Sequence, residues 1–109
     1  MITMNRLNQK LPLKRGDVIL ILFPSSDLVS FKTRPVLVIQ TINLKTEDPN
    51  LIVAVITSQM SKANHLGRIR ILLRSSEGKA SGLLCDSVVL IDKLINIKGS
   101  EVKKKIGFL

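Results

Sequence analysis

A chain of 109 residues can bury one core but not two. Hydrophobic residues make up 45 % of it, which excludes a disordered chain, while aromatics at 3 % leave the core to isoleucine, leucine and valine. The formal charge of +9 creates a field that draws polyanions, whether nucleic acid or an acidic protein segment.

A single cysteine excludes an intrachain disulfide and suits a reducing compartment. The longest apolar run, Val18 to Phe23, falls far short of the ~18 residues that a membrane span needs. The amino terminus carries neither a long apolar segment nor a small-residue cleavage site, so a cytoplasmic protein is expected.

Residues 1–13 mix Leu7, Leu11 and Leu13 with polar residues and Pro12 and sustain no period. They read as an N-terminal tail ahead of one domain over residues 14–109. Lys14, Arg15 and Gly16 open the first strand, the β-branched run Val18 to Phe23. A polar, basic loop follows, punctuated by Pro24, Ser25, Ser26 and Asp27, and Lys32, Thr33 and Arg34 bring positive charge to the start of a second strand, Pro35 to Ile39. Arg34 precedes a proline, which pushes its backbone out of the helical region and allows the guanidinium to be aimed.

Residues 43–50 (NLKTEDPN) carry turn chemistry. Leu51 to Ile56 is a third strand, ending in Thr57, Ser58 and Gln59. Met60 to Gly67 is irregular and basic. Arg68 to Leu73 then alternates arginine with isoleucine, the period-two pattern of a half-buried strand, which sends Arg68 and Arg70 to one face. Ser75 to Gly82 reads as a turn-rich stretch, Leu83 to Ile91 as a strand, and Asp92 to Ile97 as one more short strand. Lys103, Lys104 and Lys105 read as part of a short basic helix or a frayed end. Five or six short strands with turn signals between them point to a mainly β protein, a small antiparallel barrel.

In order and spacing, a set of short motifs is more specific than any one of them. Arg15-Gly16-Asp17-Val18 opens a strand, Phe23-Pro24 closes it, and Thr33-Arg34-Pro35-Val36-Leu37-Val38 follows the loop. Ile56-Thr57-Ser58-Gln59, Ser81-Gly82-Leu83, Asp86-Ser87-Val88 and Ile91-Asp92-Lys93 come after. From Lys14 to Leu109 the chain resembles the PemK/MazF toxins of bacterial type II toxin-antitoxin pairs. That resemblance implies an SH3-like barrel with short helical additions, of the PemK/MazF/CcdB kind, forming a homodimer. It implies sequence-specific cleavage of single-stranded RNA without metal or cofactor, leaving a cyclic phosphate and a free 5′ hydroxyl. It also implies an acidic antitoxin whose segment covers the basic face of the dimer.

Cleaving RNA through its own 2′ hydroxyl requires proton transfer from that hydroxyl, protonation of the departing 5′ oxygen, and positive charge at phosphorus. By motif, the family's catalytic arginine and threonine fall on Arg34 and Thr57. Arg34 offers a planar fork of donors to phosphate oxygens but, as a guanidinium with no free lone pair to offer, is a poor proton acceptor. Thr57 offers a hydroxyl, also a weak base, so positioning and charge have to supply most of the acceleration. In one branch of the family a histidine, an arginine and an aspartate do this work; their positions here correspond to Leu28, Leu84 and Asp86, and only the aspartate is kept.

Asp86 is therefore assigned to substrate contact. Ser58 and Gln59 are assigned to base edges or phosphate, Lys32, Arg68 and Arg70 to phosphate, and Phe31 to base stacking. Lone His65 excludes a two-histidine mechanism within one subunit and reads as a surface residue. Cys85 reads as a packed thiol in an apolar strand. No residues show metal-ligand spacing. Two rival readings use the same barrel: a non-catalytic CcdB-like toxin that binds DNA gyrase, and a basic RNA-binding barrel of ribosomal type.

Overall fold

The structure is a computed structural model and describes residues 13–24, 29–42 and 49–109. Along the chain run β1 (Asp17–Pro24), β2 (Phe31–Ile42), β3 (Asn50–Thr57), a 3₁₀ turn at Met60–Ala63, and β4 (Arg68–Ile71). Helix α1 (Ser76–Ser81), β5 (Ser87–Lys98), a second 3₁₀ turn at Gly99–Glu101, and β6 (Val102–Phe108) follow. Among the described strands every pairing is antiparallel, and the order across the sheet is β4-β5-β3-β2-β1-β6. The protein is mainly β with short helical additions, as its sequence implies.

Successive residues of a strand face opposite sides of the sheet. Val18, Leu37 and Ala54 belong to one buried apolar layer, and Ile19, Val36 and Val53 to the other. Because both faces are covered, the inner strands read as continuous apolar runs instead of alternating ones. The buried Asp17 fixes how β1 begins. Its Oδ2 accepts from the Lys14 N–H at 2.8 Å, and its Oδ1, which takes no hydrogen bond of good geometry, is held by the charge of Lys105 Nζ at 3.1 Å.

Four expectations change. The second strand starts at Phe31, not Pro35, because Phe31 to Arg34 pair with Pro24 to Ile21 across a hairpin. Arg34 therefore sits inside a ladder. The turn-rich stretch contains a helical turn: Ser75 Oγ accepts from the Gly78 N–H at 3.0 Å, and Gly82, at φ +75°, ends α1 in the left-handed conformation. The two strands expected on either side of Asp92 are one strand, β5. Within it the register with β3 jumps from Ala54–Leu94 to Val55–Leu90, so Ile91, Asp92 and Lys93 bulge out and bend the sheet. The three lysines near the carboxy terminus lie in β6, paired with β1, and not in a helix or a frayed end.

Among the described residues the outer strands β4 and β6 pair on one side only, so the barrel is not closed by a ladder. Helix α1 packs against β6 instead, with Gly107 against the backbones of Ala80 and Ser81. Of the remaining expectations, the tail up to Pro12, most of the first loop and residues 43–48 lie outside the described residues.

Candidate active site

The chain before Arg34 and the chain after Thr57 diverge from a common point. The β2–β3 ladder starts at Val36–Val55, and counting that register on by two residues sets Arg34 opposite Thr57, just beyond the last paired rung. Both residues line one hollow of about 590 Å³. Leu20, Pro35, Ile56, Leu83 and Ile106 give it an apolar floor and walls, and Ser58, Gln59, Cys85, Ser87 and Lys104 add polar groups. Among the described residues no carboxylate lines the hollow, whereas two cations, Arg34 and Lys104, do. An anion is the ligand such a surface favours.

Arg34 is exposed, and among the described residues its guanidinium has no hydrogen-bond or ion-pair partner. The extended backbone expected before Pro35 is met by its place in β2. Thr57 is half-buried at the end of β3, and its Oγ1 accepts from the Gln59 N–H at 3.1 Å, which tightens the turn that presents Ser58 and Gln59 to the hollow. The Gln59 carbonyl in turn accepts from Lys62 N–H at 3.0 Å and starts the 3₁₀ turn. Arg34, Thr57, Ser58 and Gln59 thus come together from separate parts of the sequence.

The other residues assigned to RNA lie elsewhere. Phe31 and Lys32 are exposed at the start of β2, outside the hollow's lining but on the strand that carries Arg34. The Arg68 fork is spent on structure: Nε and Nη2 donate to the two Asp92 oxygens at 3.2 and 3.1 Å, and Nη1 donates to the Lys62 carbonyl at 3.0 Å. It ties β4 to the bulge of β5, and its hydrogen bonds hold the Asp92 carboxyl below its ordinary value of 3.8. Arg70 is exposed on β4 and does not reach the hollow. Asp86 Oδ1 accepts from the Leu73 N–H at 2.7 Å, so it ties together the segments on either side of α1 and does not line the hollow.

Cys85 corrects its expectation. Strand β5 begins only at Ser87, so Cys85 lies in the turn after α1, where its thiol is exposed and lines the hollow. Leu84 beside it is 93 % exposed on the same rim. Lys104 was missed because the run of three lysines carries no strand period of its own; only its pairing with Leu20 brings it here. Leu28 is outside the described residues. His65 is exposed, and among the described residues no group of three or more His, Cys, Asp or Glu side chains could hold a metal ion. Among those residues, too, no helix is long and apolar enough to cross a membrane.

No individual curated protein matches the chain. A family model described as the PemK-like, MazF-like toxin of type II toxin-antitoxin systems matches residues 14–109. The match takes in the arginine and threonine that line the hollow and every described strand, and the chain belongs to the PemK-like, MazF-like toxin family.

Proposed function

We propose that this toxin is a cytoplasmic, homodimeric endoribonuclease that cuts single-stranded RNA at a defined sequence. The observation that carries the reading is the meeting of Arg34 and Thr57 on one hollow whose described lining holds two cations and no carboxylate. A scissile phosphodiester resting there exposes its non-bridging oxygens to the Arg34 fork, which stabilises the charge that builds as phosphorus becomes five-coordinate. The 2′ oxygen bonds to phosphorus as the bond to the 5′ oxygen breaks. The proton lost from the 2′ hydroxyl is balanced by one gained on the departing 5′ oxygen. The products are a cyclic phosphate and a 5′ hydroxyl.

Neither Arg34 nor Thr57 is a strong base at neutral pH, so these protons pass through solvent and the rate rests on alignment and charge. Thr57, with its hydroxyl oriented by the Gln59 turn, holds the attacking group or a phosphate oxygen. Growth inhibition follows from loss of message, and the antitoxin that the family implies acts by laying an acidic segment over the same basic cleft.

Incubating the purified protein with mixed-sequence RNA and a chelator, then sequencing the cut ends, tests the reading. Discrete cuts ending in cyclic phosphate and 5′ hydroxyl are expected. A single deoxyribose on the 5′ side of the mapped cut should abolish cleavage there, because the attacking group belongs to the substrate. Absence of cuts with retained toxicity would point to a non-catalytic, gyrase-binding mode.

A further inference from the structure

Among the three adjacent lysines of β6, only Lys104 lines the hollow. The strand pairing explains this selection. Gly107 pairs with Val18, but the next rung is Lys105 with Ile19, so Ile106 is the extra residue of a bulge; Leu20 then pairs with Lys104 and Ile21 with Val102, which extrudes Lys103 in the same way. Lys105 shares a sheet face with Ile19 and is committed to the buried Asp17 at 3.1 Å. Lys104 shares the opposite face with Leu20, and both line the hollow. Among the described residues Lys104 has no acidic partner.

Slippage of β6 by one residue would exchange Lys104 for a neighbour, and three contacts prevent it. The Leu109 N–H donates to the Gly16 carbonyl at 2.7 Å, Lys105 pairs with Asp17, and Gly107 is wedged against α1. Leu20 also pairs with Pro35 on its other side, so Lys104 stands across β1 from the residue that follows Arg34. Arg34 occupies the next rung, opposite Ile21, and two strand spacings place its backbone about 10 Å from that of Lys104, with both residues on the lining of the hollow.

We infer that Lys104 binds the phosphate adjacent to the scissile one and so sets which linkage of a single-stranded RNA lies against Arg34 and Thr57. This rests on the nuclease reading for the word scissile, but not for the anion contact. An ammonium is a compact charge with three rotatable donors, suited to holding a backbone phosphate without reading its base. The lysine is therefore a positioning group, and its effect belongs in substrate affinity.

The test combines Lys104→Ala and Lys104→Arg with kinetics on an RNA centred on the mapped cut. Binding is measured in parallel to a fluorescent single-stranded RNA by anisotropy across a salt series. Lys104→Ala is expected to raise KM roughly five- to ten-fold at low salt with kcat changed less than about two-fold. It should also flatten the slope of log affinity against log salt by about 0.7, the value for one phosphate contact on a single strand. Lys104→Arg should restore both. Replacing one flanking phosphate by a neutral methylphosphonate should weaken the wild type and leave the alanine variant unaffected.

If wild-type protein cuts RNA while Lys104→Ala keeps its KM and salt slope, the inference is overturned and the nuclease reading stands. If wild-type protein binds RNA with the lysine-dependent slope but makes no cuts, the contact stands and the nuclease reading falls. If it neither binds nor cuts, both fall.

Discussion

Arg34 and Thr57 differ in what their removal leaves behind. Arg34 is exposed and unpartnered among the described residues, so truncation removes charge from the hollow without opening a cavity. Arg34→Ala should lower kcat by about 10²–10³-fold, the usual cost of losing one preorganised donor to transition-state charge, with the melting temperature nearly unchanged. Thr57 is half-buried, and its hydroxyl accepts the Gln59 N–H. Thr57→Ala should therefore cost activity and also about 0.5–1.5 kcal/mol of stability through that lost hydrogen bond. Thr57→Ser keeps the acceptor and should recover most of the stability. Single-turnover cleavage beside urea titration separates the two effects, and relief of growth inhibition by Arg34→Ala in an expressing bacterium checks that the same site acts in cells. Persistent toxicity of both alanine variants would remove the site assignment.

At the scale of elements, the weak point of the fold is the junction where an unclosed sheet is finished by a helix. A Cβ on Gly107 would run into the carbonyl of Ala80 and the backbone of Ser81, and one on Gly82 into the carbonyl of Ile106. Gly107→Ala should cost about 1–3 kcal/mol by overpacking and lower the urea midpoint. Because displacing β6 also moves Lys104, KM should rise with it. The apolar centres of the strands were legible because such runs have no other use in a chain with so few aromatics, but the two longest, β2 and β5, were read as shorter or split. The family motifs picked out Arg34 and Thr57 on adjacent strands, although Arg34 lies within β2 and not at its end. Helix α1 was not legible, since six residues are too few for a 3.6 period to show and its serines and glycines read equally as turn formers. Lys104 was hidden for a related reason: its side is decided by bulges at Ile106 and Lys103, and a bulge inverts the facing that a period-two count assigns. Arg68 illustrates the opposite error. Its alternation with Ile69 correctly marked a strand, but the partner that absorbs its charge, Asp92, is brought to it by the bulge in β5.

Over the whole molecule, 17 basic residues face 8 acidic ones, so the fold carries net self-repulsion that its carboxylates partly offset. Among the described residues two of them are ion-paired: Asp17, buried against Lys105, and Asp92, gripped by Arg68. The Arg68 hydrogen bonds lower the Asp92 pKa in the folded state, so its contribution is fully present above the ordinary carboxylate value and is lost as pH falls through the lowered one. Asp92 is solvent-exposed, so that contribution is small and screened by salt. The stability difference between wild type and Asp92→Asn should accordingly be constant above about pH 5, shrink below about pH 4 and vanish once both states are protonated. Beneath it runs a larger, general fall in stability as all carboxylates neutralise and the positive charge goes unopposed. Added salt should lessen that fall by screening the repulsion while also shrinking the Asp92 difference at neutral pH. Urea midpoints for the two proteins at several pH values, each at low and high salt, measure both effects. A wild-type advantage that grows on acidification would show that the Arg68–Asp92 pair does not join β4 to β5 in solution.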